Sequence, residues 1–73
     1  MTKTIHSPEY GRVIERLKQS RVDAGLSQQE VAKRLKKPQS YISKIESGER
    51  RLDVIEIKKL AEMYKKTIDY LIN

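Results

Sequence analysis

Ser27-Gln28-Gln29-Glu30-Val31-Ala32-Lys33-Arg34-Leu35, followed by Lys36-Lys37 and then Pro38-Gln39-Ser40-Tyr41-Ile42-Ser43-Lys44-Ile45-Glu46-Ser47-Gly48, decides the architecture of this chain. The first segment opens with capping-box spacing: the Ser27 hydroxyl accepts from the backbone N–H of Glu30, and the Glu30 carboxylate accepts from that of Ser27. Leu26 and Val31 occupy the staple positions on either side. Val31, Ala32 and Leu35 give this helix its buried edge, which turns Lys33 and Arg34 elsewhere. Lys36-Lys37 makes the turn. Pro38 opens the next helix, Ile42 and Ile45 face inward, and Ser47-Gly48 brings the end. The segment is therefore two short amphipathic helices joined by a polar turn.

The same signals recur on both sides. Ser7-Pro8-Glu9 is a helix start, with serine as cap, proline at the first helical position and glutamate at the positive end of the dipole. Tyr10, Val13, Ile14 and Leu17 then form an apolar stripe that Ala24 continues, and Gly25 ends it in a left-handed conformation. Asp53 and Glu56 repeat the capping box, with Leu52 and Ile57 as staple, before Leu60, Ala61 and Tyr64. Thr67 caps a last short helix ending in Tyr70, Leu71 and Ile72. Five helices and no strand make an all-α, compact five-helix bundle, with 1–6 as a flexible N-terminal segment and 7–73 as one domain. No stretch is of low complexity, and no repeat suggests a solenoid.

A domain of 73 residues buries only about 60% of the surface its unfolded chain exposes. The absence of cysteine excludes disulfide staples and a thiolate zinc site, so the core comes from close-packed helices or is extended by a partner subunit. No apolar run resembles a signal peptide, and none approaches the roughly 20 residues that span a bilayer, so a cytoplasmic protein is expected with no membrane partner. The only histidine is His6, far from any metal-ligand spacing, and the ten carboxylates read as caps and surface partners. Neither catalysis, nor a metal or cofactor, nor a small-molecule ligand is indicated.

The net charge of +6 is concentrated. Residues 33–51 hold seven Lys/Arg against two Asp/Glu, whereas 1–32 hold five against four and 52–73 four against four. Charge runs are usually solvated helix faces, but an excess confined to nineteen residues also makes a local field suited to a polyanion.

Leu26 to Ala32 and Pro38 to Asp53, taken with Leu60-Ala61-Glu62-Met63-Tyr64 and Asp69-Tyr70-Leu71, resemble the helix-turn-helix regulators of the phage-repressor and Cro type, the XRE family. The resemblance covers roughly 14–72 and combines a Ser-Gln start, a Gln-Ser start, a Glu-x-Gly exit and the Leu-Ala-x-x-Tyr and Asp-x-Leu pair. It implies a lambda-repressor-like fold and a sequence-specific DNA-binding transcriptional regulator. The chain departs from the family pattern at Lys36 and Lys65, where glycine is common, and at Lys37, where an apolar residue is usual. A left-handed lysine costs on the order of 1 kcal/mol.

The motif's docking geometry sends helix 38–47 into the major groove of double-stranded DNA, with the preceding helix across the phosphates. With Ile42 and Ile45 inward, Gln39, Ser40, Ser43, Lys44 and Ser47 lie outside. Gln39, Ser40, Ser43 and Lys44 are candidate base contacts: the amide of Gln39 suits adenine, and Lys44 suits the guanine acceptors or a phosphate. Candidate backbone contacts are Gln28 and Gln29 at a helix N-terminus, Ser47, and Arg50 and Arg51 in the following loop. By resemblance Gln28 also steadies Gln39. Lys36 and Lys37 stand evenly between phosphate contact and plain solvation. The ring of Tyr41 roofs the core, or the residue meets DNA, its phenol at a phosphate or its ring at a thymine methyl, and the two roles are compatible. The resemblance also implies a partly buried salt bridge between Arg21 and Glu46.

Two readings of function compete. The first is a repressor that binds an inverted-repeat operator as a homodimer, with Tyr64, Ile68, Tyr70, Leu71 and Ile72 as a possible dimer contact or ordinary core. The second is a protein-interaction module, such as an antitoxin or antirepressor component. The polar and basic side chains at Gln39, Ser40 and Lys44 favour the first.

Overall fold

Each helix in the computed structural model, which describes residues 7–73, begins where a cap stands ready. Ser7 accepts from the N–H of Tyr10 and starts α1 (Pro8–Asp23). Ser27 and Glu30 form a complete capping box at the head of α2 (Gln28–Leu35), and Asp53 with Glu56 does the same for α4 (Val54–Tyr64). Thr67 caps α5 (Ile68–Ile72) through the N–H of Tyr70. The exception is α3 (Gln39–Glu46), whose cap position holds Pro38, extended at φ −69° and ψ 156°, with no side-chain hydrogen bond. Proline thus precedes the helix instead of being its first residue, and Ser47 lies just past its end. The rigid ring sets the entry angle, no side chain caps the first turn, and the carbonyl of Pro38 accepts from the N–H of Tyr41 at 3.0 Å.

Four of the five helices leave by one device. After α1, α2, α3 and α4 a left-handed residue follows: Gly25, Lys36, Gly48 and Lys65 respectively. In each case the next N–H reaches back five residues, from Leu26 to Arg21, Lys37 to Ala32, Glu49 to Lys44 and Lys66 to Ala61. These are Schellman closures, which satisfy carbonyls the helix would otherwise leave open. Lys36 and Lys65 both adopt φ 59°, so these two lysines stand in a left-handed conformation and carry its strain.

The helices enclose one core: Val13, Ile14 and Leu17 from α1, Val31 and Ala32 from α2, Ile42 and Ile45 from α3, Leu52 from the following loop, Leu60, Ala61 and Tyr64 from α4, and Leu71 from α5. α1 packs on α3, α4 and α5, and α2 pairs with α3. The apolar stripe of α1 ends earlier than its spacing suggests. Ala24 is exposed just past the helix end, and the inward place is taken by Ser20, fully buried, whose hydroxyl has no hydrogen-bond partner. Leu35 is half-buried at the edge of the core. Among the described residues there is no strand, and no helix is long and apolar enough to cross a membrane. The segment 1–6 lies outside the described residues.

Candidate nucleic-acid interface

The outward face of α3 follows from its two buried isoleucines. Ile42 and Ile45 are each about 1% exposed, which at 100° per residue turns Gln39, Ser40, Ser43 and Lys44 to solvent. Ser47 is also exposed, and its hydroxyl donates to the carbonyl of Lys44 and the carboxylate of Glu49. Lys33, Arg34, Lys36 and Lys37 on the neighbouring helix and turn are exposed as well.

Behind this face lies a connected polar network. Arg21 reaches from α1 to Glu46 at the end of α3, with Nε 2.8 Å from Oε2 and Nη2 3.1 Å from Oε1. Its Nη1 donates to the carbonyl of Leu26 at 2.8 Å. The two side chains are only 12% and 5% exposed, so the ion pair is largely desolvated, and the hydrogen bond to Glu46 raises the guanidinium pKa further despite burial. Gln28, at the head of α2, donates its amide to Oε1 of Glu46 at 3.0 Å. Gln39 in turn donates to Oε1 of Gln28 at 3.4 Å. The Arg21–Glu46 bridge is therefore present, and Gln28 stands where it steadies Gln39.

Sequence spacing did not show a second network, at the other end of α3. The Tyr41 hydroxyl donates to Oε2 of Glu56 at 2.5 Å, and the Arg50 guanidinium donates to the same oxygen at 2.7 Å while lying 4.8 Å over the Tyr41 ring. Lys37 sits over the same ring at 5.4 Å, so the turn is covered by a cation on an aromatic face in place of an apolar side chain. Burial raises the phenol pKa of Tyr41, and its bond to Glu56 raises it further. For Glu56 burial opposes ionisation, but the hydrogen bonds from Tyr41 and from the Asp53 N–H, with the charge of Arg50, hold the carboxyl below its usual range. The phenol of Tyr41 is thus engaged internally, and Arg50 is held in place instead of being a loose loop cation.

The loop itself is pinned by Tyr10, whose hydroxyl donates to the carbonyl of Arg50 at 3.2 Å and accepts from the N–H of Leu52 at 3.1 Å. Arg51 is exposed and lies over the Tyr10 ring at 5.3 Å. These pairs span forty residues or more of sequence, and no local spacing announces them. Gln29 is exposed at the head of α2.

At the C-terminal end, Tyr64 is 4% exposed and Leu71 fully buried, so both belong to the core of a single copy and are not available to a second one. Burial also pushes the Tyr64 phenol well above its usual pKa. Ile68 is half-buried, whereas Tyr70 and Ile72 are exposed. Tyr70 is flanked by Arg16, which donates to its carbonyl at 2.9 Å and lies over its ring, and by Lys66.

A family model described as helix-turn-helix matches residues 17–71, which is most of the chain and includes α2, α3, the loop after α3 and α4. The fold is also similar to that of an XRE-family like protein from Pseudomonas syringae pv. tomato str. DC3000, with 40% sequence identity and a TM-score of 0.79 over 86% of this chain and 77% of that one. The chain belongs to the XRE family of helix-turn-helix proteins. A comparison with curated proteins returns no match. As an XRE-family protein it is a DNA-binding transcription regulator and not an enzyme. In this XRE-family domain α2 and α3 are the helix-turn-helix pair.

Proposed function

We propose that the protein is a repressor that binds an inverted-repeat operator as a homodimer, with α3 of each copy in the major groove. The observation that carries this reading is the free polar face of α3, with Gln39 in its first turn held from behind by Gln28. In that pose Gln39, Ser40, Ser43 and Lys44 meet base edges, while Gln28, Gln29, Ser47 and Arg51 meet the sugar-phosphate backbone. Arg50 and Tyr41 contribute by shaping the loop, and each reaches a phosphate only by exchanging its bond to Glu56.

Size supports a second copy. The domain measures 29 Å along its longest axis, whereas successive major grooves on one face of DNA lie about 34 Å apart. A single copy therefore reads one groove. Ile68, Tyr70 and Ile72 are the apolar side chains at the C-terminal end that remain for a dimer contact once Tyr64 and Leu71 are assigned to the core. Repression follows from occupancy, since a small dimer on a promoter blocks polymerase.

Selection of bound fragments from a random DNA pool tests this reading. The expected result is a symmetric consensus whose half-sites lie about 10 base pairs apart, with twofold mass by light scattering at binding concentrations. A consensus without symmetry, or a monomer both free and on DNA, would overturn the dimer. No enrichment over random sequence would overturn sequence reading altogether.

A further inference from the structure

We propose that the buried Arg21–Glu46 pair sets the base preference of Gln39 for adenine over guanine, acting through the amide of Gln28. The inference rests on the reading of Gln39 as a base contact suited to adenine and adds which interior groups impose that preference.

The inference follows from counting donors and acceptors. Glu46 is an acceptor only, and Arg21 takes both of its oxygens at 2.8 and 3.1 Å, which fixes the carboxylate in place. An amide beside a fixed carboxylate must turn its nitrogen toward it, and Gln28 does so, with Nε2 3.0 Å from Oε1 of Glu46. The carbonyl oxygen of Gln28 is then left facing α3. Gln39 meets that oxygen with its own nitrogen at 3.4 Å. One of its two amide hydrogens is committed inside the protein, so it offers DNA one donor and one acceptor side by side.

That pair fits the major-groove edge of adenine, which presents the N7 acceptor beside the N6 donor. Guanine presents two acceptors, N7 and O6, and would require the hydrogen that Gln28 already holds. If the amide of Gln28 were reversed, its nitrogen would engage the oxygen of Gln39, leaving two hydrogens free, the pattern for guanine. The polarity of a surface amide is thus dictated by a charge pair that itself touches no base. Glu46 and Gln28 are positioning residues in this scheme.

The test uses the operator obtained from the random pool and duplexes in which single adenines are replaced by guanine. The base pair read by Gln39 is the one at which Gln39→Ala removes discrimination. There the unaltered protein should favour adenine by about 10- to 100-fold. Two variants probe the relay. In Arg21→Met with Glu46→Met the pair is replaced by apolar side chains of similar length, which buried ion pairs commonly tolerate. In Gln28→Lys the neighbour of Gln39 becomes a donor only, compatible with Glu46 but demanding the oxygen of Gln39.

The double variant should lose discrimination roughly fivefold or more while its affinity for random DNA stays the same, and Gln28→Lys should bring the preference to parity or over to guanine. A merely structural role would weaken every duplex alike and leave the ratio unchanged. Unchanged adenine preference in both variants, with Gln39→Ala abolishing it, would overturn the relay alone. If Gln39→Ala changes discrimination at no base pair, base reading by Gln39 falls first and the relay with it. Thermal melting monitors folding of the double variant, and if it does not fold, Gln28→Lys alone decides.

Discussion

Tyr41 and Glu56 are joined by a 2.5 Å hydrogen bond that fastens α3 to the first turn of α4. The Glu56 carboxylate thereby does three things at once: it closes the capping box of α4 through the N–H of Asp53, accepts from Tyr41, and holds Arg50. Tyr41→Phe keeps the ring beneath Arg50 and Lys37 and removes only the hydroxyl. A loss of about 1.5–3 kcal/mol is expected, the range for a hydrogen bond to a charged partner, read as a lower urea midpoint with unchanged slope. An unchanged midpoint would mean that the bond adds nothing over hydration.

Glu56 also makes stability depend on acidity. Because its folded-state pKa is depressed, the folded protein binds its proton less readily than the unfolded chain does. The resulting stabilisation is complete above the ordinary glutamate value and fades as pH falls through the lower folded value. Unfolding titrations from neutrality into acid should show this decline, and Glu56→Gln should flatten it in part while lowering stability at neutral pH. Glu30, hydrogen-bonded to Ser27 in its own capping box, contributes in the same direction. Equal acid sensitivity in the Glu56→Gln variant would assign the decline to other carboxylates.

The two left-handed lysines are sites where the protein is less stable than its fold allows. Both Lys36 and Lys65 stand at φ 59° and close Schellman motifs through backbone atoms alone. Lys36→Gly and Lys65→Gly should each raise stability by about 0.5–1 kcal/mol, the relief of left-handed strain outweighing the added freedom of the unfolded chain. The gains should add, since the two turns share no partner. Calorimetry on the two single variants and the double would show it, and a fall in melting temperature for either would count against strain as the governing effect.

Base and phosphate contacts separate in their response to sequence and salt. Gln39→Ala should weaken the selected operator by about 1–3 kcal/mol and leave random DNA unaffected. Arg51→Ala should weaken all sequences alike and lower the salt slope by about 1, the share of one phosphate. Fluorescence anisotropy across a salt series measures both, and equal losses on operator and random DNA for Gln39→Ala would contradict base reading.

Ser20 provides a check on the core. Its hydroxyl is fully buried without a partner in the middle of a helix, a position where alanine is favoured both by propensity and by having no polar group to desolvate. Ser20→Ala should stabilise by about 0.5–1.5 kcal/mol in the same unfolding assay. A loss instead would point to a hydrogen bond made by the serine in solution.

The helix starts were legible because a cap, its third-position glutamate and the flanking staple all lie within six residues, as at Ser27 and Asp53. The inward positions of α3 were legible for the same reason: Ile42 and Ile45 fix the phase of a short helix, and the phase exposes Gln39 and Lys44. Pro38 was off by one place because proline is tolerated both before and at the first helical position, and sequence does not separate the two. Ser20 was missed because a small hydroxyl can follow an apolar stripe inward at modest cost, leaving Ala24 outside. The bonds of Tyr10 to the loop and of Tyr41 and Arg50 to Glu56 depend on how α1, α3 and α4 cross, which periodicity does not encode. The Arg21–Glu46 pair became visible only through family resemblance.

Helices α2 and α3 are eight residues each, shorter than the roughly 12 to 15 residues that hold helical structure in isolation. Neither persists without the scaffold that α1 supplies through Arg21 and the shared core. The polar face of α3 therefore exists only while that core is intact, so a change that loosens α1 dissolves the surface as a whole instead of weakening it contact by contact.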